Sequence, residues 1–421
     1  MARTIAGNSA GRSFLYLPLI VFALTASALS VEAQERASLP EPAKAVTTPL
    51  VRPEPVQANP PAAPASIEPQ KAGTTIKQSP MPTNETDKPI PHIALLLPLA
   101  SKIFGSVADA LKLGFAAGAQ ADGKNASPYR IYAAEDEGAS LAAQYRKAVA
   151  EGASAIIGGV TRDGANTVAR ESRFLPTLAL NAPMISSENE LPERFFFISL
   201  NLDLEAKLVA RMAFSEGLRN LAMVVANTPL AKRVQESFEQ EWGRLGGGIV
   251  ARISFGSDPN DPTRVASAME KINEKVGAKA DAVFLAADPS AARFIRPYLP
   301  TGMAVFATSH TVDPRAEAVA NLDLENVRFL EMPWFVEQDH PAVMAYAKPA
   351  QPLPAEYERL YALGIDAWRL GQLIVKFDGA RSLPPLDGVT GRITQDGHQL
   401  TRALSSVEVR DGKSQLYRPA E

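Results

Sequence analysis

The hydrophobic and polar positions of the chain repeat one unit, in which a short apolar strand is followed by an amphipathic helix. The unit first occurs at Ile93–Gly118, where Pro98 ends a continuous apolar run and apolar residues then recur at helical spacing. A continuous run of this length predicts a parallel strand covered on both faces, and the spacing predicts a helix with one apolar side against the sheet. Ser101 is the predicted N-cap of that helix.

The first series of such units predicts one parallel sheet with helices on both faces. Its predicted strands are Ile93–Leu97, Tyr129–Ala133, Ala155–Ile157, Thr177–Leu180 and Phe195–Ile198. Helices are predicted near 103–119, 139–150 and 162–173.

The pattern then restarts, which predicts a second sheet. Leu221–Gly247 copies the opening unit, with Pro229 between the strand and the helix. The predicted strands are Leu221–Ala226, Ile249–Phe255, Ala282–Ala286, Ala304–Ala307 and Val327–Leu330. Helices are predicted near 203–217, 230–245, 262–276, 289–298 and 313–320, followed by a long helix at Ala355–Phe377 and strands at Asp387–Thr394 and Ala403–Arg410. Two matching units, each leading its own sheet, predict two lobes.

The residues before His92 are predicted to be an export signal and a linker. Residues 1–33 combine Arg3 and Arg12 with the apolar stretch Phe14–Leu29 and a small-x-small cleavage site at Val31–Ala33, which is typical of a secretory signal peptide. A retained anchor helix is the alternative, although the run is short for a membrane span. Residues 34–91 contain 13 prolines and no aromatic residue, a composition that predicts a disordered proline-rich linker.

Composition and motifs exclude several classes of function. A formal net charge of −3 gives no electrostatic basis for binding nucleic acid. The absence of cysteine excludes a disulfide framework, a thiolate metal site, a cysteine nucleophile and a lipid-modified cysteine in this sequence. The four histidines have no ligand spacing, so no metal site is predicted. Serine-hydrolase, P-loop, zinc-protease and dinucleotide motifs are also absent, and we therefore predict a non-enzymatic protein without a cofactor.

Candidate ligand contacts lie in the loops after the strands, because ligands of parallel sheets bind beyond the carboxyl ends of the strands. The candidates are Ser101, Gly158, Thr161, Arg162, Asn181, Asn227 and Asp288. Thr161 could offer its hydroxyl and the first helix amides to an anion, or it could simply cap the helix beside a solvated Arg162. Asn181 is equally a cleft contact or a turn former. The adjacent carboxylates of Glu135–Glu137 diverge on a loop, so they are not expected to act as a catalytic pair.

Four segments resemble a known fold family: ALLLPLASKIFGSVADALKLGFAAG, AIIGGVTRDGANTVA, FFFISLN and AEYERLYALGIDAW. They are similar to the type I periplasmic-binding-protein fold and, more narrowly, to the C-terminal domain of the LppC-type activators of penicillin-binding proteins. Gly388–Ile393 also resembles the family's late G-x-T-G-x-[IL] strand. The resemblance implies an α/β fold of two lobes, each a mostly parallel sheet flanked by helices. It assigns residues 92–199 and 334–384 to lobe 1 and residues 200–333 and 385–421 to lobe 2.

The same resemblance implies a function. Members are lipoproteins of the outer membrane that stimulate peptidoglycan synthases, so this chain is expected to be a periplasmic regulator that binds a penicillin-binding protein or another cell-wall enzyme. The alternative is a periplasmic receptor for an amino acid, an amide or a similar small molecule in the cleft, linked to an ABC transporter. The sequence departs from the family in lacking the lipoprotein cysteine and in having the linker where the family has a helical-repeat domain. No membrane span is expected once the signal is removed.

Overall fold

Two open sheets organise the protein, and the first strand of each is apolar and buried after its first residue. The computed structural model describes residues 89–184, 190–256, 279–379 and 382–418, together with residues 270, 272, 274 and 276. All of these residues belong to one unit, Pro82–Glu421. The predicted signal segment and residues 34–88 of the predicted linker lie outside the described residues.

The first sheet and its helices form lobe 1. The strands are β1 (His92–Leu97), β2 (Tyr129–Ala133), β3 (Ala153–Gly158), β4 (Thr177–Ala179) and β5 (Phe195–Ile198), joined later in the chain by β11 (Leu386–Gly388), β12 (Gly391–Asp396) and β13 (Gln399–Ala403). The helices are α1 (Gly105–Asp122), α2 (Ala139–Ala150), α3 (Arg162–Glu171) and the long α9 (Ala355–Lys376). The order across the sheet is β11-β12-β13-β5-β4-β3-β1-β2.

The burial of β1 explains why its sequence is apolar from Ile93 to Leu97. Ile93, Leu95 and Leu97 pack into one core with α1 and α9, while Ala94 and Leu96 pack into a second core on the opposite face of the sheet. Because successive side chains of a strand point to opposite faces, a strand covered on both faces must be apolar throughout.

Lobe 2 repeats this arrangement. Its strands are β6 (Asn220–Ala226), β7 (Gly248–Phe255), β8 (Ala282–Ala286), β9 (Ala304–Ala307), β10 (Val327–Glu331), β14 (Ser405–Arg410) and β15 (Lys413–Leu416). The helices are α4 (Leu202–Ser215), α5 (Pro229–Arg244) and α6 (Pro289–Ile295), and two short helices, α7 (Pro333–Val336) and α8 (Pro341–Met344), follow β10. The strand order is β15-β14-β10-β9-β8-β6-β7, so β7-β6-β8-β9-β10 matches β2-β1-β3-β4-β5 of lobe 1. The prediction of a two-lobed α/β fold is confirmed.

The carboxyl-terminal strands correct the predicted division of the chain. The resemblance assigns residues 385–421 to lobe 2, but β11, β12 and β13 extend the first sheet, with β13 parallel to β5. The chain changes sheets between Ala403 and Ser405, not after residue 384. Turn signals predict an antiparallel hairpin, but they carry no information on which sheet edge the hairpin extends, and this is the physical reason for the error.

Two predicted helices of lobe 2 are not seen as predicted among the described residues. The helix predicted at 313–320 is instead a 3-10 helix at Ala318–Leu324, and the helix predicted near 262–276 lies largely outside the described residues. None of the helices in the described part of the chain is long and apolar enough to cross a membrane.

A pair of glycines brings α1 and α9 into backbone contact on the first sheet. A Cβ atom on Gly114 would lie 1.8 Å from the carbonyl oxygen of Tyr361, and one on Gly364 would lie 2.3 Å from that of Leu111. Beside this crossing the buried ring of Trp368 packs edge-on against Phe115, with ring centroids 5.2 Å apart. Helix α9 is therefore fixed on lobe 1 while its amino-terminal half contacts the junction with lobe 2.

Candidate functional site

The amino-terminal end of α3 holds a carboxylate that belongs to the protein itself. Thr161 caps the helix, with its Oγ1 accepting a hydrogen bond from the Gly164 amide at 3.0 Å. Glu137, only 6% exposed, accepts hydrogen bonds at Oε2 from the Thr161 amide (3.1 Å) and hydroxyl (3.3 Å). The position that the sequence offered to an external anion is thus occupied by Glu137.

Two glycines allow the Glu137 carboxylate to lie close to the start of α3. A Cβ atom on Gly164 would lie 1.4 Å from Glu137 Oε2, and Gly159 turns the chain before α3 with a φ of +72°. Burial raises the pKa of Glu137, against the lowering effect of its hydrogen bonds to Thr161. Its second oxygen, Oε1, is buried without a hydrogen-bond partner among the described residues. A ligand could reach this helix end only if Glu137 moved away.

The neighbouring acidic residues have structural roles as well. Asp136 Oδ1 accepts hydrogen bonds from the amides of Gly138 (2.7 Å) and Ser140 (3.1 Å) at the start of α2. Because Asp136 and Glu137 are directed at two different helices, they do not converge on a common substrate position.

Gly158 and Asn181 support the loop geometry beside Glu137. A Cβ atom on Gly158 would lie 2.6 Å from the carbonyl oxygen of Leu96, so the close pairing of β3 with β1 accounts for this glycine. Asn181 Nδ2 donates to the carbonyl oxygen of Val160 at 2.8 Å, and its Oδ1 accepts from the Ala182 amide at 2.9 Å. The side chain of Asn181 therefore ties two loops together, although it also lines a cavity between the lobes.

Arg162 joins the two lobes through an ion pair. Its guanidinium donates to Asp203 Oδ2 of α4 at 3.0 Å, and Arg233 of α5 donates to Oδ1 of the same carboxylate at 2.9 Å. Side-chain exposure is 45% for Arg162 and 51% for Arg233, but only 18% for Asp203. Two guanidinium groups that solvent can reach therefore share one largely buried carboxylate.

A cavity of about 380 Å³ opens beside this ion pair, and we call it the interlobe cavity. Polar groups of Asn181, Ser199 and Asn201 and the two arginines line part of it. The remaining described lining is aliphatic and consists of Val160, Leu180, Leu200, Leu202, Leu360 and Leu363.

Three other predicted residues do not join this cavity. Ser101 does not cap α1, which begins at Gly105 after the N-cap residue Phe104; its Oγ instead accepts from the Phe104 amide at 3.3 Å in the preceding turn. Asn227 is exposed on the loop after β6. Asp288 caps α6 and lines a smaller, mainly apolar cavity of about 230 Å³ within lobe 2. The sequence candidates are therefore distributed over several sites.

His310 lies at the same lobe 2 cavity as Asp288. Burial lowers the pKa of His310, while the negative charges of Glu356 and Asp288 act in the opposite direction. Within the described residues no group of three or more His, Cys, Asp or Glu side chains is placed to hold a metal ion.

Buried charges of α9, which the sequence analysis did not select, connect the lobes. Glu358, 1% exposed, pairs with Arg315 from the loop after β9. The same carboxylate accepts a hydrogen bond from the Trp334 indole at 2.8 Å. The next residue, Arg359, pairs with Glu331 at the end of β10.

A second buried acid lies beside Arg359. Glu205 of α4 accepts hydrogen bonds from the amide of Ser309 and, at 2.9 Å, from its hydroxyl. Burial raises the pKa of Glu205 to about 7, because it outweighs the lowering effect of these hydrogen bonds. Of these contacts, the pairs Arg315–Glu358 and Arg359–Glu331 join α9 to lobe 2, whereas the bonds between Glu205 and Ser309 lie within lobe 2.

Asp366 explains the motif Gly388–Gly391. This carboxylate is fully buried and accepts hydrogen bonds from the amides of Val389 (3.0 Å) and Thr390 (2.8 Å) and from the Thr390 hydroxyl (2.7 Å). A Cβ atom on Gly388 would lie 2.7 Å from Asp366 Oδ2, and Gly391 has a φ of +131°. These hydrogen bonds fix the β11–β12 turn to α9, and the glycines of the motif leave room for the Asp366 carboxylate.

One feature of the sequence indicates that Asp366 has buried partners. Nearly every residue from Tyr361 to Leu370 is apolar or glycine, so Asp366 lies in a stretch that must be buried all round. A charge in such a stretch requires partners, because an unpaired buried charge is too costly. Which distant residues supply them cannot be deduced from spacing along the chain.

Comparison with known proteins identifies relatives over most of the chain. The family model described as "LppC putative lipoprotein" matches residues 57–412. The protein named "Penicillin-binding protein activator LpoA" from Edwardsiella ictaluri is 28% identical over 305 residues, which cover 62% of this chain and 43% of the relative. The chain thus spans less than half the length of this curated relative.

Solved structures show the same fold. A Chromobacterium violaceum protein described as "a putative branched-chain amino acid ABC transporter" is 31% identical with a TM-score of 0.62, covering 75% of this chain and 99% of that one. The LpoA C-domain of Haemophilus influenzae, described as a regulator of PBP1A, is 22% identical with a TM-score of 0.61, covering 78% of this chain and 100% of that one.

Proposed function

The chain belongs to the LppC family, and from this premise we propose that it binds and activates a peptidoglycan synthase of the penicillin-binding-protein class. The observation that carries the proposal is the family match over residues 57–412, together with the activator names of the relatives. Action through protein–protein contact is consistent with the structural use of the acidic residues, since Asp136 and Glu137 are each committed to a helix end.

The proposed place of action is the periplasm. Residues 1–33 have the composition of an export signal, and residues 34–91 have that of a linker long enough to separate the lobes from their point of attachment. The family description contains the word lipoprotein, whereas these 421 residues contain no cysteine. We therefore propose export to the periplasm and no mode of attachment to a membrane.

Capture of penicillin-binding proteins from the source organism tests this function. The affinity-tagged chain is incubated with solubilised envelope, and bound synthases are detected with a fluorescent penicillin that acylates their active-site serine. We expect at least one labelled band that is absent with the tag alone and that an excess of untagged chain removes. A labelled pattern no different from that of the tag alone would contradict the proposal.

A second candidate function is a solute receptor that works with an ABC transporter. The likeness to the Chromobacterium violaceum protein favours it. A thermal-shift screen of amino acids and amides tests it, because a ligand at about 100 times its Kd stabilises the folded state by about 2.7 kcal/mol. A screen without any saturable shift would exclude this function for the solutes tested.

A further inference from the structure

Three ion pairs join the two lobes, and in each pair the two charges come from different lobes. One pair lies between the start of α3 and the start of α4, and the other two lie between the amino-terminal half of α9 and lobe 2. We call them the interlobe clamp: Arg162–Asp203, Arg315–Glu358 and Arg359–Glu331. Since the glycine crossing with α1 fixes α9 on lobe 1, the clamp adds charged contacts to the crossings of the chain between the lobes.

The carboxylates are the more deeply buried partners in the clamp. The side chains of Glu358 and Glu331 are 1% and 2% exposed, and that of Asp203 is 18% exposed. A small separation of the lobes would take the guanidinium group away before water reaches the carboxylate. Because a buried carboxylate without its partner is costly, the paired arrangement is favoured over a slightly separated one.

The pairs flank different crossings of the chain. Asp203 follows the first crossing, between β5 and α4, whereas Glu331 precedes the second, between β10 and α7. Glu358 also contacts the second crossing, because it accepts the hydrogen bond of the Trp334 indole at 2.8 Å. A rotation about one crossing therefore disturbs the pair at the other, and the three pairs together oppose movement of the lobes.

Side chains of the protein itself complete the clamp. Arg233 of lobe 2 donates to Asp203 Oδ1 at 2.9 Å and holds this carboxylate towards Arg162. At the amino-terminal end of α3, Glu137 already occupies the anion position. The charges that hold the lobes together are therefore provided without a ligand.

We propose that the interlobe clamp holds the two lobes in one fixed arrangement without a bound ligand, and that loss of its ion pairs lets the lobes move apart. The two lobes then present one rigid surface, in contrast to lobes that a ligand must draw together. The inference goes beyond the binding of a synthase and does not depend on it.

Distances between two spin labels, measured by pulsed electron paramagnetic resonance, test the proposal. The sequence contains no cysteine, so Gln120→Cys on α1 and Gln240→Cys on α5 provide the only labels, one on each lobe. Both positions are exposed. The full chain is unfolded in urea and refolded before labelling, which removes any copurified ligand. We expect a single narrow distance distribution, and a broad or two-component distribution in this ligand-free chain would overturn the proposal.

Arginine variants of the labelled chain show whether the clamp is the cause. Arg315→Gln leaves Glu358 buried without its partner from the other lobe, and it should increase the population at a second distance at least about tenfold. Arg315→Lys retains the charge and should keep most of the single distribution. Arg162→Gln changes a side chain that is 45% exposed and should have a smaller effect, about two- to fivefold.

Arg146→Gln is the control, because Arg146 is also an exposed arginine in an ion pair, but its partner Glu171 belongs to the same lobe. The unfolding temperature of each variant verifies that it is folded. A distribution that stays unchanged in both Arg162→Gln and Arg315→Gln, or that changes equally in Arg146→Gln, would refute the role assigned to the clamp.

Discussion

Thr390→Val is expected to destabilise the protein by about 1.5–3 kcal/mol, the usual contribution of a hydrogen bond to a charged group. In the structure the Thr390 hydroxyl donates to Asp366 Oδ2 at 2.7 Å, and both side chains are fully buried. Valine fills nearly the same volume, so the change removes the hydroxyl without opening a cavity. The amides of Val389 and Thr390 still bond to Asp366, and the turn therefore stays attached to α9.

Urea unfolding followed by tryptophan fluorescence measures this effect, since Trp334 and Trp368 are buried near α9. Thr390→Ser is the matched control, because it retains the hydroxyl and loses only a methyl group, at a cost of about 1 kcal/mol. The loss in Thr390→Val should shrink at acidic pH, where Asp366 becomes protonated; burial already raises the pKa of Asp366. Equal stability of the valine variant and the wild type, or an equal loss in both variants, would refute the role assigned to this hydroxyl.

Three further experiments test other contacts. Gly114→Ala places a Cβ atom 1.8 Å from the Tyr361 carbonyl oxygen and should lower the yield of folded protein, whereas Gly243→Ala, which meets no atom within 4 Å, should leave thermal stability unchanged or slightly increased. The pKa of Glu205 is raised to about 7 in the folded state from an ordinary value of 4.5. The free energy of unfolding of the wild type should therefore fall as the pH rises from 4.5 through 7. Glu205→Gln should not show this loss, which amounts to about 3 kcal/mol in the wild type. Urea titrations that give the same pH dependence for both proteins would contradict the raised pKa of Glu205. Glu137→Ala empties the space beside α3, so added acetate should raise the melting temperature of this variant but not that of the wild type; no difference between the two would mean that Glu137 does not occupy an anion site.

Much of the fold could be predicted from sequence because burial on both faces leaves a simple pattern. The bounds of β2, β5, β8 and β9 agree with the predicted strands residue for residue. Three of them, β5, β8 and β9, are short apolar runs, and short apolar runs separated by helices are typical of a parallel sheet. The repeated opening unit also predicted two lobes, and the matching strand orders confirm it.

The sheet to which the carboxyl-terminal strands belong could not be predicted from the sequence. β12 and β13 pair with each other locally through the turn at Gly397 and His398, a contact that the turn signal Asp396–Gly397 predicts. Their attachment to β5, about 200 residues earlier, depends on which sheet edge is free after folding. Local propensity contains no information on that choice.

The candidate site was predicted in part. The loop 158–162 and Asn181 do lie together, because they follow neighbouring strands of one sheet. Whether Thr161 meets a ligand or the protein's own Glu137 depends on the path of the α2 loop, which spacing does not determine. The pairing of Arg162 with Asp203 likewise depends on the relative position of two lobes that are joined at three points of the chain. The ligand roles of the candidate residues remain predictions.

Synthase activity measured with and without the full chain shows directly whether the chain is an activator. The assay follows glycan-strand polymerisation and cross-linking from lipid-linked precursor by a penicillin-binding protein of the same organism. We expect a saturable increase in rate as the chain is added, with no product formed by the chain alone. A rate that stays unchanged at every concentration of folded chain, or product formed without the synthase, would contradict it.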